Sequence, residues 1–255
     1  MGRYLSARLR TRTAGLRRRV QRRILRGGGT VHDYRYVFIV TYGRSGSTLL
    51  MSLLNTIPGY RINGENYNAL YRLYQADAAI TKAFQKHSDS RHLVSRGAWY
   101  GAPRMRPQLF RYELAASFVA HVLRPEPGDR VLGFKEIRYI KSDMPDLTGF
   151  LGFLRRTFPD CKIIFNHRNV TDVANSSWWA NSGRSVDKLE AADARLRAIP
   201  DDEQHLHFFY DDIDDSLKNI RALFEFLGEE PDERAVREVL EVRHGPPTTY
   251  AQTSR

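Results

Sequence analysis

The 255-residue sequence has one cysteine, Cys161, so no internal disulfide framework can brace it. A lone thiol fits a reducing compartment. No run approaches the roughly 18 apolar residues needed to span a bilayer. The first residues also lack the apolar stretch of a secretory signal, and the sequence reads as that of a cytoplasmic protein. Lysine is scarce, at 7 against 33 arginines. Acid is missing altogether from residues 1–32, which carry ten arginines: Arg3, Arg8, Arg10, Arg12, Arg17, Arg18, Arg19, Arg22, Arg23 and Arg26. From Asp33 onward 30 basic residues face 29 acidic ones, although the whole chain is +11. A protein basic over its entire surface is thereby disfavoured, and no specific nucleic-acid partner is expected.

What is present divides into an arm, residues 1–30, and one domain, residues 31–255, long enough to bury a substantial core. In the arm, Leu5, Leu9, Leu16, Val20 and Ile24 recur at helical spacing within a stripe about 100° wide, and arginines cover most of the rest. That is the pattern of a basic amphipathic helix, closed by Gly27-Gly28-Gly29. Peripheral contact with an anionic membrane at its inner face, a solvated leader and a nucleic-acid contact all remain open for it.

The domain alternates apolar β-rich runs with helical stretches. Strand candidates are residues 36–40, 131–134, 162–165 and 206–209, while 67–124 and 180–204 look helical and polar, the natural places for an acceptor-binding lobe. Continuous apolar strands separated by helices indicate an α/β fold, a three-layer arrangement with a parallel sheet flanked by helices.

The first strand runs directly into Thr41-Tyr42-Gly43-Arg44-Ser45-Gly46-Ser47-Thr48, and a buried helix is expected from Leu49. Strand, Gly/Ser/Thr-rich turn and helix together aim free backbone N–H groups at an anion. Gly43 and Gly46 permit close approach, Ser47 and Thr48 add hydroxyls, and Arg44 adds charge. Aligned on the Walker A loop, Ser47 stands where lysine is required and Thr41 where the first glycine belongs, so an ATP or GTP hydrolase fits poorly. A further block, Phe165-Asn166-His167-Arg168 with Ser176 eight residues on, places an arginine just past a strand end and a serine on the next helix. Such a pair suits a terminal phosphate.

These residues resemble a known family. Residues 41–50 look like the 5′-phosphosulfate loop of sulfotransferases that use 3′-phosphoadenylyl sulfate (PAPS), residues 163–176 like the family's 3′-phosphate element, and Phe209-Tyr210-Asp211-Asp212-Ile213 like its Tyr-acid-acid-apolar segment. The resemblance implies a P-loop-NTPase-like sulfotransferase fold and sulfuryl transfer from PAPS to an acceptor hydroxyl, on a carbohydrate or glycolipid, leaving the product PAP. No metal is expected. It implies cofactor-binding roles for Gly43, Arg44, Ser45, Gly46, Ser47, Thr48, Arg168 and Ser176, and an adenine contact for Tyr210.

Catalysis needs a base for the acceptor proton and cations for the leaving phosphate. Arg44 and Lys135 are the cation candidates, Lys135 lying in a Gly-x-Lys element similar to that of carbohydrate sulfotransferases; the bland alternative for Lys135 is an ion pair with Glu136. Glu65 follows the phosphate-loop helix where those enzymes place a glutamate base, the alternative being a helix beginning at Glu65. His87, His92 and His121 read as surface or packing residues, Trp178 and Trp179 as packing or a base-stacking platform, and Arg243-His244-Gly245-Pro246 as at most a weak echo of the family's closing loop. Two other classes stay open at this level: a P-loop kinase, and a non-enzymatic membrane- or nucleic-acid-binding protein acting through the arm.

Overall fold

A computed structural model describes residues 30–176 and 186–244. The cationic arm, Gly27-Gly28-Gly29, Trp178, Trp179, Gly245 and Pro246 lie outside the described residues. Five strands form one sheet: β1 (Arg35–Val40), β2 (Tyr60–Asn63), β3 (Val131–Glu136), β4 (Cys161–His167) and β5 (His205–Phe209). Their order is β2-β3-β1-β4-β5, and every pairing is parallel. The helices are α1 (Ser47–Leu54), α2 (Ala69–His87), α3 (Pro107–Phe118, continued by a π turn, Val119–Leu123), α4 (Leu147–Thr157), α5 (Val170–Ala174), α6 (Val186–Arg197), α7 (Lys218–Leu227) and α8 (Glu233–His244). Among them none is long and apolar enough to cross a membrane.

The layers follow from the two-residue period of β1. Tyr36, Phe38 and Val40 face a core with Phe118, Phe150, Phe153 and Leu189, from α3, α4 and α6. Val37 and Ile39 face the other way, onto Leu50 and Leu53 of α1, Ile220 and Phe224 of α7 and Val236 of α8. A strand covered on both sides reads as an unbroken apolar run, which is why β1, β3 and β4 were visible in the sequence. β2 was not. It is a four-residue edge strand paired with β3 alone, and its buried and half-buried positions alternate, so it carries no apolar run.

β1 lies at the centre, and the chain leaves it toward β2 on one side, whereas β3 connects across it to β4 on the other. Parallel strands that diverge in this way open a crevice beyond their C-terminal ends, where ligands bind. The loop after β1, the end of β3 and the end of β4 all meet there.

Candidate active site

The turn after β1 is bolted down from beneath. Thr41 Oγ1 donates to the Asn166 carbonyl at 2.6 Å and lies 2.8 Å from Ser45 Oγ, and Asn166 Nδ2 donates to the Ser45 carbonyl at 2.8 Å. Ser45 is fully buried in this arrangement, so its side chain serves the loop's shape and does not line the cleft. Arg44 and Gly46 both adopt left-handed backbone, with φ of 68° and 80°. A Cβ on Gly46 would fall 2.0 Å from the Tyr210 ring, so glycine is required twice over, by conformation and by packing.

Gly46 caps α1 without any side-chain hydrogen bond, and the first turn holds no acid. The amide donors there are left for a ligand, and the helix dipole favours a negative one. Gly43, Arg44, Gly46, Ser47 and Thr48 line one wall of a cleft of about 360 Å³; Glu65, Lys135, Ile137 and Arg168 complete it. Seven of the residues singled out in the sequence, from three separate blocks, therefore share one cavity with the predicted base.

Glu65 and Lys135 are in direct contact. Lys135 Nζ lies 2.7 Å from Glu65 Oε1, and Arg138 Nη1 lies 3.0 Å from Glu65 Oε2. The sequence alternative, Lys135 paired with Glu136, fails because successive strand residues point to opposite faces. Glu136 points away from the cleft side, is 0% exposed, and accepts from the backbone N–H of Asn66 (3.3 Å), Asn68 (2.9 Å) and Ile137 (2.9 Å) and from Arg138 Nη1 (2.7 Å). That carboxylate fastens the 64–68 loop, in which Tyr67 and Asn68 both have positive φ, to the end of β3. Helix α2 accordingly starts at Ala69, and Glu65 belongs to the loop before it, not to a helix terminus. Burial opposes the Arg138 charge, but its hydrogen bonds to Glu136 and Glu65 outweigh this and raise its pKa. Two residues before Lys135, a Cβ on Gly133 would strike the carbonyl of its β1 neighbour Val37 at 1.7 Å, so glycine lets β3 lie close against β1.

Arg168 sits at the end of β4, on the opposite side of the loop. Its Nη1 donates to the Arg44 carbonyl at 3.3 Å, and its guanidinium carbon lies 4.7 Å from the Tyr210 ring centroid. Arg168 Nε is buried without a hydrogen-bond acceptor, and Asp211 Oδ1 stands 4.0 Å away. The guanidinium is part-exposed and lines the cleft, where it can meet a further anion. Tyr210 is buried behind Gly46 and does not itself line the cleft. Ser176 departs from the sequence reading. Helix α5 ends at Ala174, so the serine lies beyond it, and Ser176 Oγ donates to the Val173 carbonyl at 2.7 Å. The helix-face argument linking it to Arg168 does not hold, because Asn175 already caps the helix.

Beneath Arg168 runs a polar network that the sequence did not disclose. Tyr42 OH donates to Asp193 Oδ1 at 2.9 Å and accepts from the Arg168 N–H at 3.1 Å. Asp193 Oδ1 is 2.6 Å from His167 Nδ1, His167 Nε2 is 2.7 Å from His207 Nδ1, and His207 Nε2 is 2.6 Å from the Ile199 carbonyl. Burial alone would raise Asp193, but hydrogen bonds from His167, Arg197 and Tyr42 overcome it and bring its pKa to about 2. Burial lowers the His167 pKa, against the opposing hydrogen bond to Asp193, and Asp193 is also paired with Arg197 at 2.5 Å. Arg138, Glu136, Tyr42 and Asp193 are thus the site residues missed; an acid between two cations at a strand end, Lys135-Glu136-x-Arg138, was the available signal for two of them.

A model of the "Sulfotransferase family" matches residues 36–233. Among solved structures the chain is similar to sulfotransferase STF9 from Mycobacterium avium, at 14% identity and a TM-score of 0.45, over 89% of this chain and 72% of that one. No curated protein matches.

Proposed function

The chain belongs to the sulfotransferase family, and we propose that it uses PAPS as donor, that Glu65 is the general base, and that the acceptor hydroxyl is on a carbohydrate or glycolipid. The observation that carries this reading is the contact of Glu65 with Lys135 in the cleft that also holds the uncapped start of α1. A proton acceptor and a cation for the leaving group stand side by side at the ends of the strands. When bound, PAPS supplies a sulfuryl group already joined to a phosphate leaving group.

The residues fit such an anion in two respects: α1 presents amides with no side-chain cap, and the Arg168 guanidinium lines the same cleft. The amides of α1, Ser47, Thr48 and Arg44 hold the 5′ side of the donor. Arg168 holds the 3′-phosphate by charge-assisted hydrogen bonds, with Ser176 as the second contact implied by the family resemblance. Tyr210 fixes the loop from behind at Gly46 and stays the candidate for adenine contact. Glu65 takes the acceptor proton at its carboxylate. Lys135, beside Glu65, would be the cation that offsets negative charge on the phosphate side of the donor. It is also the proton donor of choice there, since arginine stays protonated.

The carbohydrate acceptor is supported by Tyr67. Its ring is 80% exposed, is packed on one side by Arg138 with the guanidinium carbon 4.3 Å from the centroid, and follows Glu65 by two residues. An exposed flat apolar face beside polar groups suits the CH face of a sugar ring.

The test is transfer of labelled sulfuryl from PAPS to a panel of saccharides, glycolipids and phenols. The proposal requires transfer by the wild-type chain and its loss in Glu65→Ala with PAP binding kept. Undiminished transfer by Glu65→Ala would sink the base assignment, and transfer confined to phenolic acceptors would sink the acceptor class.

A further inference from the structure

Ten large hydrophobic side chains among the described residues are strongly exposed, and six of them fall within twenty residues: Leu93, Val94, Trp99, Tyr100, Leu109 and Tyr112. From Ser88 to Tyr100 every residue except His92 is exposed. This segment is folded. Gly101 N–H donates to the His92 carbonyl at 3.0 Å, Tyr100 N–H to Gly97 at 3.0 Å, and Trp99 stacks on His87 with 3.9 Å between ring centroids. Its apolar groups are therefore held outward by structure, where an isolated domain would bury them.

The same segment is basic. Arg91, Arg96, Arg104 and Arg106 are exposed, and Asp89 is the one acid between residues 88 and 106, already paired with Arg91 at 2.8 Å. Aromatic and aliphatic side chains interleaved with arginine match the boundary of an anionic bilayer, where rings sit at headgroup depth and cations meet lipid phosphate. The patch is also separate from the cleft. Helix α2 starts four residues after the cleft residue Glu65, and its 19 residues carry the chain about 28 Å before His87 meets Trp99. At the patch, Tyr112 stacks on His32 with centroids 5.9 Å apart, so the chain that enters the domain at Thr30 does so beside it. The ten arginines precede that point in the sequence.

We infer that the face formed by residues 88–112 is a docking surface for an anionic lipid bilayer, placed away from the cleft so that the enzyme works while seated on the membrane. Arginine supplies the attraction and Trp99, Tyr100, Leu93 and Val94 the insertion.

The full chain is tested by flotation with vesicles of phosphatidylcholine alone and of phosphatidylcholine with 30% phosphatidylserine. The inference requires binding to the anionic vesicles, and at least a tenfold weaker partition for the chain carrying Leu93→Ser, Val94→Ser, Trp99→Ser and Tyr100→Ser, with PAP affinity unchanged. A second reading guards against a folding defect in that variant. In a chain carrying Trp178→Phe and Trp179→Phe, brominated lipid must quench the emission of Trp99. Unquenched Trp99 with binding kept in the fourfold variant would assign the attachment to other residues and overturn the inference. So would a wild-type dimer in light scattering that the fourfold variant turns into monomer, or binding to single-stranded RNA in place of vesicles.

Discussion

Lys135 and Glu65 lie 2.7 Å apart, although 70 residues separate them in the sequence, and the contact joins the end of β3 to the loop after β2. Each partner limits the other: the carboxylate holds the ammonium over the cleft, and the ammonium competes for the lone pairs that the acceptor proton must reach.

Removing Lys135 separates these effects. Lys135→Ala is expected to lower kcat by roughly 10²- to 10³-fold, the usual loss when one preorganised group facing developing charge is deleted. Its KM for PAPS should change much less. Lys135→Arg restores the charge but not an easily donated proton, so it should recover only part of kcat. Steady-state kinetics at saturating acceptor decides it, and full recovery in Lys135→Arg rules out proton donation.

Arg168→Ala should weaken PAP binding by roughly 10- to 150-fold, the worth of one hydrogen bond to a charged group. Adenosine 5′-monophosphate, which lacks the 3′-phosphate, should lose far less. Calorimetric titration of both nucleotides gives the comparison, and an equal loss for the two contradicts the clamp.

Glu136 has no contact with the cleft, yet Glu136→Ala would strand the backbone donors of Asn66 and Asn68 and loosen Arg138. Breaking a buried charge pair in this way costs about 3–5 kcal/mol, read by chemical denaturation. Glu136→Gln keeps the shape and one acceptor. It should retain more stability than the alanine variant while lowering kcat, because the loop carrying Glu65 loses charge-assisted anchoring. A Glu136→Gln enzyme with wild-type kcat would limit Glu136 to stability.

Asp193 makes the fold acid-sensitive. Its pKa falls from the ordinary 3.8 to about 2 in the fold, so the folded state favours the carboxylate. The resulting stability, roughly 2 kcal/mol, is fully present above pH of about 4 and lost as pH falls toward 2. The stability gap between wild type and Asp193→Asn should narrow over that range. A gap that stays constant down to pH 2 shows that the carboxylate charge is not the cause.

The sequence displayed the sheet wherever a strand is buried on both faces, and it displayed the phosphate loop because glycine and hydroxyl residues mark that turn. It concealed β2, a four-residue strand of Tyr-Arg-Ile-Asn with only alternate residues buried, whereas the other edge strand, β5, was read from its run Leu206-His207-Phe208-Phe209. It also concealed the network of Tyr42, Asp193, His167 and His207, since those residues come from four separate elements and only the closed fold brings them within 3 Å. Arg168 was legible as a strand-end arginine, while Ser176 was placed on a helix that stops before reaching it, because nothing in Val170–Ala174 announces so short an element.

The central claim is that this cleft binds a nucleotide through phosphates at both its 5′ and 3′ ends. Calorimetric titration of the full chain with PAP and with ATP, in the absence of magnesium, tests it most directly. The account predicts one PAP site per chain and at least tenfold weaker binding of ATP, which has no 3′-phosphate for Arg168. ATP binding as tight as PAP, or PAP binding unaffected by Arg168→Ala, would contradict it.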